Sequence, residues 1–414
     1  FLSEYSITSL RNRIMDRGER DDSYTDLWDG LCVTFSMMRN GVADLGVPAF
    51  NGMLFEDSEG CLLRELRCKN TGVIRAIKYL TTTMMKKRER DVVQSISYGD
   101  ISVEEIGGIY EGLLEFTPMV TSGPVTINKE PYPGNSFILN PLGMERKETG
   151  SYYTNPGLIE ALVESALDPV VERKLSSAGE NSTDREKALL SLKVCDPACG
   201  SGAFLIAATN HLGMELAKIR TRSALPSDAD VRNDCRDVLV HCIYGVDINP
   251  MSVELTKVSL WINALVKGKP LNFLDSHIQC GNSLVGATPE LLEEGIPDSA
   301  FERSEKEEKA GSKAFKARNK AERTNMSLDA FGIVREDPIA GCVSKFAALS
   351  AQAEDSVSEV HQKERAYRKM MSSYAYCEEK FICDLWCSAF FWDVTEKGDG
   401  PTQGVFSSVY HDGK

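Results

Sequence analysis

The 414-residue sequence contains no apolar run of the roughly 20 residues needed to cross a bilayer. It does not open with the charged and apolar segments of a signal peptide. The formal net charge of −14 argues against a surface that grips DNA over its whole extent. We therefore expect a cytoplasmic globular protein without a membrane partner, and its length allows two or three domains.

Patterns for metal sites and disulfides are also missing. The 12 cysteines include no C-x-x-C pair, and the chain has five histidines. Cys383 and Cys387 lie one helical turn apart with Cys377 nearby, which is not a metal-ligand pattern, so we expect no metal site. Other cysteines sit in apolar stretches, and we expect them to be reduced, buried thiols: Cys32, Cys195, Cys242 and Cys280.

Hydrophobic periodicity and composition divide the chain into five segments. Apolar residues recur three or four positions apart in 72–85 and in 102–116, which predicts helices there. We expect the basic stretch at 84–90 to be the end of a helix. The predicted organisation is a helical N-terminal domain at 1–116, short strands or a linker at 117–147, an α/β core at 148–290, a charged helical insertion at 291–380, and the start of an unfinished downstream region at 381–414.

The most informative stretch is VCDPACGSGAFL at residues 194–205, which predicts a strand, a glycine turn and a helix. It differs from the phosphate-binding G-x-G-x-x-G pattern because a carboxylate precedes the turn. A carboxylate repels pyrophosphate but suits an ammonium group and hydroxyls, which S-adenosyl-L-methionine (AdoMet) carries beside its sulfonium. We therefore predict AdoMet contacts from Asp196, Pro197, Ala198, Gly200 and Gly202.

A second acidic strand end follows at CIYGVDINP, residues 242–250. Asp247 is placed to hold both ribose hydroxyls, with Ile248 beside it, while Asn249 and Pro250 begin a helix. The distance in sequence from Asp196 exceeds the usual ~20 residues, and an additional helix at 228–240 accounts for the excess. The alternative is that Asp247 only caps the helix.

Two further segments give weaker signals. In GSYYTNP, residues 150–156, the side chains of Tyr152, Tyr153 and Thr154 are predicted to close over the ligand, although a plain turn explains the pattern equally well. In HIQCGNSL, residues 277–284, Asn282 with Ser283 is predicted to bind an adenine edge, because an amide both donates and accepts. The alternative there is a simple turn at a strand end.

These segments resemble motifs X, I, II and III of the DNA adenine-N6 methyltransferases found in restriction–modification enzymes of the large fused type. The matching text is GSYYTNP, DPACGSGAFL, YGVDINPMSVELTKVSLW and CGNSL, and IGGIYEGLLEF at 106–116 resembles the helix that precedes the methylase core in this group. Motif X precedes motif I, as in the gamma group. The resemblance implies a Rossmann-like class I AdoMet-dependent methyltransferase core, a double-stranded DNA substrate, and nuclease and target-recognition regions in the same polypeptide.

One motif of that family is missing from the chain. The resemblance implies an Asn-Pro-Pro-aromatic run that binds the flipped base, and the sequence has none. The runs at Asn140-Pro141 and Asn249-Pro250 lack the second proline and the aromatic ring. We therefore expect a truncated chain that is inactive alone. Two alternatives stay open: a module that senses AdoMet and gates a nuclease, and a methyltransferase of this fold that acts on RNA or protein.

A charged stretch at 302–323 concentrates basic residues towards its end: Lys313, Lys316, Arg318, Lys320 and Arg323. One interpretation is contact with DNA phosphates. The other is a solvated helix with mixed charges.

Overall fold

The computed structural model describes residues 6–17, 24–47, 67–87, 90–96, 105, 107–109, 116–127, 130–140, 154–266, 268–303, 309–326, 338–394 and 400–412. The chain divides into two compact units. The first comprises Phe1–Gly281 and Glu354–Val360, and the second comprises Asn282–Ala353 and His361–Lys414. None of the described helices combines the length and the apolar character required to span a bilayer.

Among the described residues, the N-terminal part of the first unit begins with the helices α1 (Ile7–Arg17), α2 (Asp26–Asn40) and α3 (Asn70–Thr81), and a 3-10 turn at Ala43–Leu45. Their apolar faces form a small core from residues spaced three or four apart. It consists of Leu10, Ile14, Leu27, Leu31, Val73, Ile74 and Ile77.

Antiparallel strand pairs follow α3 in the part of the chain that the structure describes. Strand β1 (Thr82–Lys87) pairs with β2 (Arg90–Ser95), β3 (Thr117–Val120) with β6 (Phe137–Asn140), and β4 (Val125–Ile127) with β5 (Glu130–Tyr132). Short strands were expected from residue 117, and these are present.

The helical prediction for 1–116 is wrong over the β1–β2 hairpin, and so is the helix end predicted at 84–90. The helix stops at Thr81, because Thr82 takes an extended conformation with φ −136° and ψ 146°. A run of β-branched threonines favours that change. The pairing with β2 is non-local, so helical periodicity in the preceding residues carries no sign of it.

The α/β part of the first unit contains a three-stranded parallel sheet, ordered β7-β8-β9. Its elements in chain order are α4 (Pro156–Ser177), α5 (Ser182–Leu190), β7 (Val194–Asp196), α6 (Ala203–Thr221), α7 (Asp228–Cys242), β8 (Ile243–Asp247), α8 (Pro250–Asn263) and β9 (Ile278–Cys280). The helix starts follow local signals: Asn155 caps α4, Ser227 and Asp230 form a capping box on α7, and Asn249 caps α8. Helix α7 is the additional helix predicted at 228–240.

Close packing of α6 against α7 forms the centre of this core. Buried residues of α6, including Leu205, Leu212 and Leu216, lie in one cluster with Val238 and Leu239 of α7. A Cβ on Gly213 would lie 3.1 Å from the backbone of Cys235, so glycine permits this approach.

Hydrogen bonds of the buried residue Glu354 connect the segment 354–360 to the rest of the first unit. The Glu354 Oε2 atom accepts hydrogen bonds from Asn272 Nδ2 at 2.8 Å and from the Phe273 amide at 3.1 Å. The Arg236 guanidinium donates to the Glu354 carbonyl at 2.7 Å. These bonds satisfy groups that would otherwise be costly to bury.

Cysteine burial was predicted correctly in part. Cys242 is buried, as are Cys199 and Cys235, and every cysteine within the described residues is a free thiol. The prediction is wrong for Cys32, Cys195 and Cys280, which are exposed. Cys195 and Cys280 lie in the two edge strands of a three-stranded sheet, where an apolar neighbourhood in sequence does not guarantee a second covering layer.

The second unit is helical. It contains α9 (Pro289–Glu294), a 3-10 turn at Asp298–Phe301, α10 (Lys309–Met326), α11 (Pro338–Ser350), α12 (Val357–Met371) from His361 onward, α13 (Tyr374–Ser388) and α14 (Gln403–Asp412). The division expected at residue 380 is not seen, because both sides of it share one core. Its buried members include Leu292, Phe301, Phe315, Ile382, Trp386 and Phe406.

Helix α10 contains most of the charged stretch and packs by one face. Asn319 is fully buried and donates to the Ile296 carbonyl at 3.0 Å. On the charged face, Lys316 pairs with Glu302 at 2.6 Å and Arg318 with Glu322 at 2.8 Å. The helix is therefore a packed, amphipathic element of the second unit rather than a fully solvated one.

Candidate cofactor site

Two carboxylates lie at the ends of neighbouring parallel strands. In the sheet register Asp196 pairs with Gly245, and Asp247 follows two residues later and pairs with Cys280. Paired residues share a face of a sheet, and so do residues two apart along a strand. Asp196 and Asp247 therefore lie on the same face of the sheet, at its carboxyl edge.

The turn that follows β7 requires glycine at two positions. Gly200 has φ +53° and Gly202 has φ +90°, both in the left-handed region that other residues rarely adopt. A Cβ on Gly202 would also lie 3.0 Å from the Thr256 methyl carbon and 3.4 Å from its Cα. The turn thus packs closely onto α8, and the free amides of α6 begin directly after it.

The Asp247 carboxylate connects the turn with the start of α8. One of its oxygens accepts from the Gly200 amide at 2.9 Å, and the other accepts from the Asn249 amide at 2.9 Å. The residue is 8% exposed. The N-cap of α8 is Asn249, whose side chain accepts from the Met251 amide at 3.0 Å. Asp247 therefore does more than terminate a strand, because it orients the glycine turn.

Sequence reasoning missed Thr256. This fully buried residue of α8 donates from its hydroxyl to the Gly200 carbonyl at 2.7 Å, and its methyl group fills the space beside Gly202. Helical spacing in the sequence predicts that residue 256 lies on the buried face of α8. It does not predict the contact with the glycine turn, because that contact depends on how α8 packs across the sheet.

The remaining predicted residues of the first unit have simple surroundings. The Asp196 carboxylate accepts from the Ala198 amide at 3.0 Å, and Pro197 and Ala198 are exposed. Ile248 is 53% exposed at the carboxyl edge of the sheet. Thr154 is half-buried and lies just before the start of α4.

The predicted residues do not all belong to the first unit. Asn282 and Ser283 are exposed and belong to the second unit, where the Asn282 side chain accepts from the Leu284 amide at 3.0 Å. The preceding residue, Gly281, donates its amide to the Asp247 carbonyl at 2.9 Å within the first unit. Tyr152 and Tyr153 lie outside the described residues.

The electrostatics of the site favour a cationic ligand. Burial raises the pKa of Asp196, the hydrogen bond from the Ala198 amide opposes this, and the charge of Asp247 raises the pKa further. Burial likewise raises the pKa of the Cys199 thiol to about 12. A positively charged group placed between the carboxylates would relieve their repulsion.

A buried lysine of α8 forms an ion cluster with two carboxylates. The Lys257 ammonium contacts Glu254 at 2.8 Å and Asp275 at 2.5 Å. Burial lowers the pKa of Lys257, but the ion pairs with these two carboxylates outweigh it and raise the pKa overall. The ion pair between Lys257 and Asp275 connects α8 to the segment that leads into β9.

Comparison with known proteins points to one class of domain. Residues 175–285 match the family model described as MmeI, DNA-methyltransferase domain, and residues 241–337 match the Eco57I restriction-modification methylase model. The first match contains the glycine turn and both carboxylates. The central part of the chain is therefore similar to methyltransferase domains of restriction–modification systems.

A curated relative from Methanocaldococcus jannaschii is described as a putative type II restriction enzyme and methyltransferase. It is 28% identical over 185 residues, which cover 36% of this chain. The match spans 16% of the length of that relative. No solved structure matches the chain.

Proposed function

We propose that the chain is the AdoMet-binding part of a site-specific DNA adenine-N6 methyltransferase from a restriction–modification system, built on a Rossmann-like class I core. The observation that carries this proposal is the placement of Asp196 and Asp247 on one face of a parallel sheet, beside a glycine turn. The two family matches over this region support it.

The two carboxylates take different roles. Asp196 receives the amino group of the methionine part. Burial and the charge of Asp247 raise the pKa of Asp196, and a cationic ligand would offset both effects. Asp247 accepts the ribose hydroxyls. Its two backbone bonds use two of about four lone-pair directions, so acceptor capacity remains while the carboxylate is held in one orientation.

The other predicted residues complete the contacts. Gly200 and Gly202 give room for the ligand, with Pro197 and Ala198 on the exposed side of the turn. Ile248 offers apolar surface, Asn282 and Ser283 bind the adenine edge, and the methionine end is covered from the N-terminal side of α4. That cover is provided by Tyr152, Tyr153 and Thr154.

AdoMet supplies a methyl group activated by its sulfonium. The residues of this chain align it, and alignment of two reactants accounts for much of the rate of such transfers. The acceptor is adenine N6 in double-stranded DNA. Because the chain has no Asn-Pro-Pro-aromatic run to hold the flipped base, we propose that alone it binds AdoMet without methylating DNA. Nuclease and target-recognition regions share its polypeptide, and its location is the cytoplasm.

Calorimetry with the full 414-residue chain tests the binding step. We expect AdoMet and its demethylated product to bind with dissociation constants in the micromolar range, while NAD and ATP at the same concentrations give no heat. Absence of AdoMet binding would refute the proposal. Tritium transfer to DNA, RNA and protein tests the substrate class: we expect none from the chain alone, and transfer to DNA once an Asn-Pro-Pro-aromatic segment is supplied.

A further inference from the structure

In the described part of the segment before the α/β core, a buried glycine lies against the glycine turn. Glu105 and residues 107–109 are helical, and Gly107 is buried. A Cβ on Gly107 would lie 2.7 Å from the Ser201 Oγ atom and 2.9 Å from the Ser201 Cβ. Such distances are far below normal contact. The helical segment therefore lies so close to the turn that a Cβ at position 107 would displace Ser201.

Ser201 has little freedom to give way. Its neighbour Gly200 is held on both sides, by its amide to Asp247 at 2.9 Å and by its carbonyl to Thr256 at 2.7 Å. Its other neighbour, Gly202, donates its amide to the Cys199 carbonyl at 2.8 Å. Displacing Ser201 therefore loosens bonds that set the shape of the turn and the orientation of the Asp247 carboxylate.

We propose that Gly107 is a positioning residue for the AdoMet site, acting through Ser201, so that the N-terminal segment forms part of the binding apparatus. This inference rests on the proposed function. It adds that a region outside the methyltransferase motifs determines the geometry of the glycine turn.

The neighbouring glycine provides a matched control. Gly108 lies in the same helical segment but is exposed, and a Cβ there would have no heavy atom within 4 Å. Alanine at either position changes helix propensity by the same amount. Within the described residues, the two variants differ in the contact with Ser201.

We expect Gly107→Ala to weaken AdoMet binding roughly tenfold, because overpacking at this restrained site would displace the glycine turn. Gly108→Ala should leave the affinity within about twofold of the unaltered chain. Calorimetry gives the dissociation constants, and a thermal melt without ligand reports any general loss of folding. Unchanged affinity in Gly107→Ala, or an equal loss in Gly108→Ala, would overturn the inference.

A double-mutant cycle separates positioning from a merely structural effect. Ser201→Gly removes the atoms that a Cβ at position 107 would meet. When Ser201→Gly is added to Gly107→Ala, we expect most of the AdoMet affinity lost in Gly107→Ala to return. The double variant should then bind AdoMet almost as well as Ser201→Gly alone. Independent, additive effects of the two substitutions on the dissociation constant would overturn the inference.

Hydrogen exchange on the unaltered chain gives a second measurement, which decides the matter if Gly107→Ala does not fold. Saturating AdoMet should slow amide exchange in the peptide that contains residues 107–109, because ligand binding holds the turn beneath it. Unchanged exchange there, with protection at residues 196–205, would overturn the inference and leave the proposed function standing. Failure of the unaltered chain to bind AdoMet would instead reject the proposed function.

Discussion

Removal of the Asp247 carboxylate is expected to separate binding from folding in a measurable way. Asp247→Ala deletes both oxygens that accept from the Gly200 and Asn249 amides. Hydrogen bonds to a charged group contribute about 1.5–3 kcal/mol each, so the loss of both bonds should lower the free energy of unfolding by about 3–6 kcal/mol. Loss of the ribose contact should raise the AdoMet dissociation constant at least tenfold, which corresponds to about 1.4 kcal/mol.

A second buried carboxylate serves as the control, because it is matched in burial and in bonding. Glu354 is 7% exposed and accepts two hydrogen bonds, from Asn272 and Phe273. Glu354→Ala should therefore lower the midpoint of urea unfolding to a similar degree. It should leave AdoMet affinity unchanged, because the Glu354 carboxylate bonds to Asn272 and Phe273, which lie outside the glycine turn.

Urea unfolding and calorimetry at a temperature where both variants remain folded provide the comparison. A loss of AdoMet affinity in Asp247→Ala alone would support the ribose role of Asp247. Undiminished affinity in that variant would refute the ribose role of Asp247. Equal losses in both variants would show that destabilisation, and not a ligand contact, weakens binding.

Three further predictions follow from individual contacts. The raised pKa of Asp196 means that its negative charge lowers the stability of the folded chain at neutral pH, and this loss disappears as pH falls through the raised pKa. In thermal melts at pH 7, Asp196→Asn should therefore be more stable than the unaltered chain, and the difference should vanish below about pH 4. The same variant should bind AdoMet more weakly. Gly213→Ala should destabilise the chain by about 1–3 kcal/mol in urea, despite the better helix propensity of alanine, because the new Cβ meets the Cys235 backbone; an unchanged midpoint would contradict the α6–α7 packing. Mass spectrometry after iodoacetamide treatment at pH 8 should show that Cys199, with its pKa of about 12, is spared while exposed thiols react first; early labelling of Cys199 would show that it is accessible. Within the described residues, the exposed thiols are Cys32, Cys195, Cys280 and Cys377.

Local chemistry made several elements predictable. Asn249 followed by Pro250 predicts the start of α8, and Ser227 with Asp230 begins the additional helix α7. These signals act within four residues, so they need no knowledge of the fold. The glycine turn is predictable for the same reason, because Gly200 and Gly202 take conformations that other residues avoid.

Other features depend on partners far away in sequence. The β1–β2 hairpin replaces a predicted helix end at 84–90 because two strands pair, and a helical pattern in one of them does not reveal the other. The exposure of Cys195 and Cys280 follows from their edge strands, and the union of 291–380 with 381–414 follows from a shared core. Tertiary packing overrides local propensity in each of these cases.

By itself, the sequence determined the chemical character of the site: acidic strand ends, a glycine turn and helices that begin directly after it. These depend on residue type and on spacing of a few positions, which bond geometry restricts strongly. Only the tertiary structure decided which atoms hold that turn in place. The bonds from Asp247 and Thr256, and the close approach of Gly107 to Ser201, join residues about 50 to 100 positions apart, and such contacts exist only once the helices and the sheet have packed.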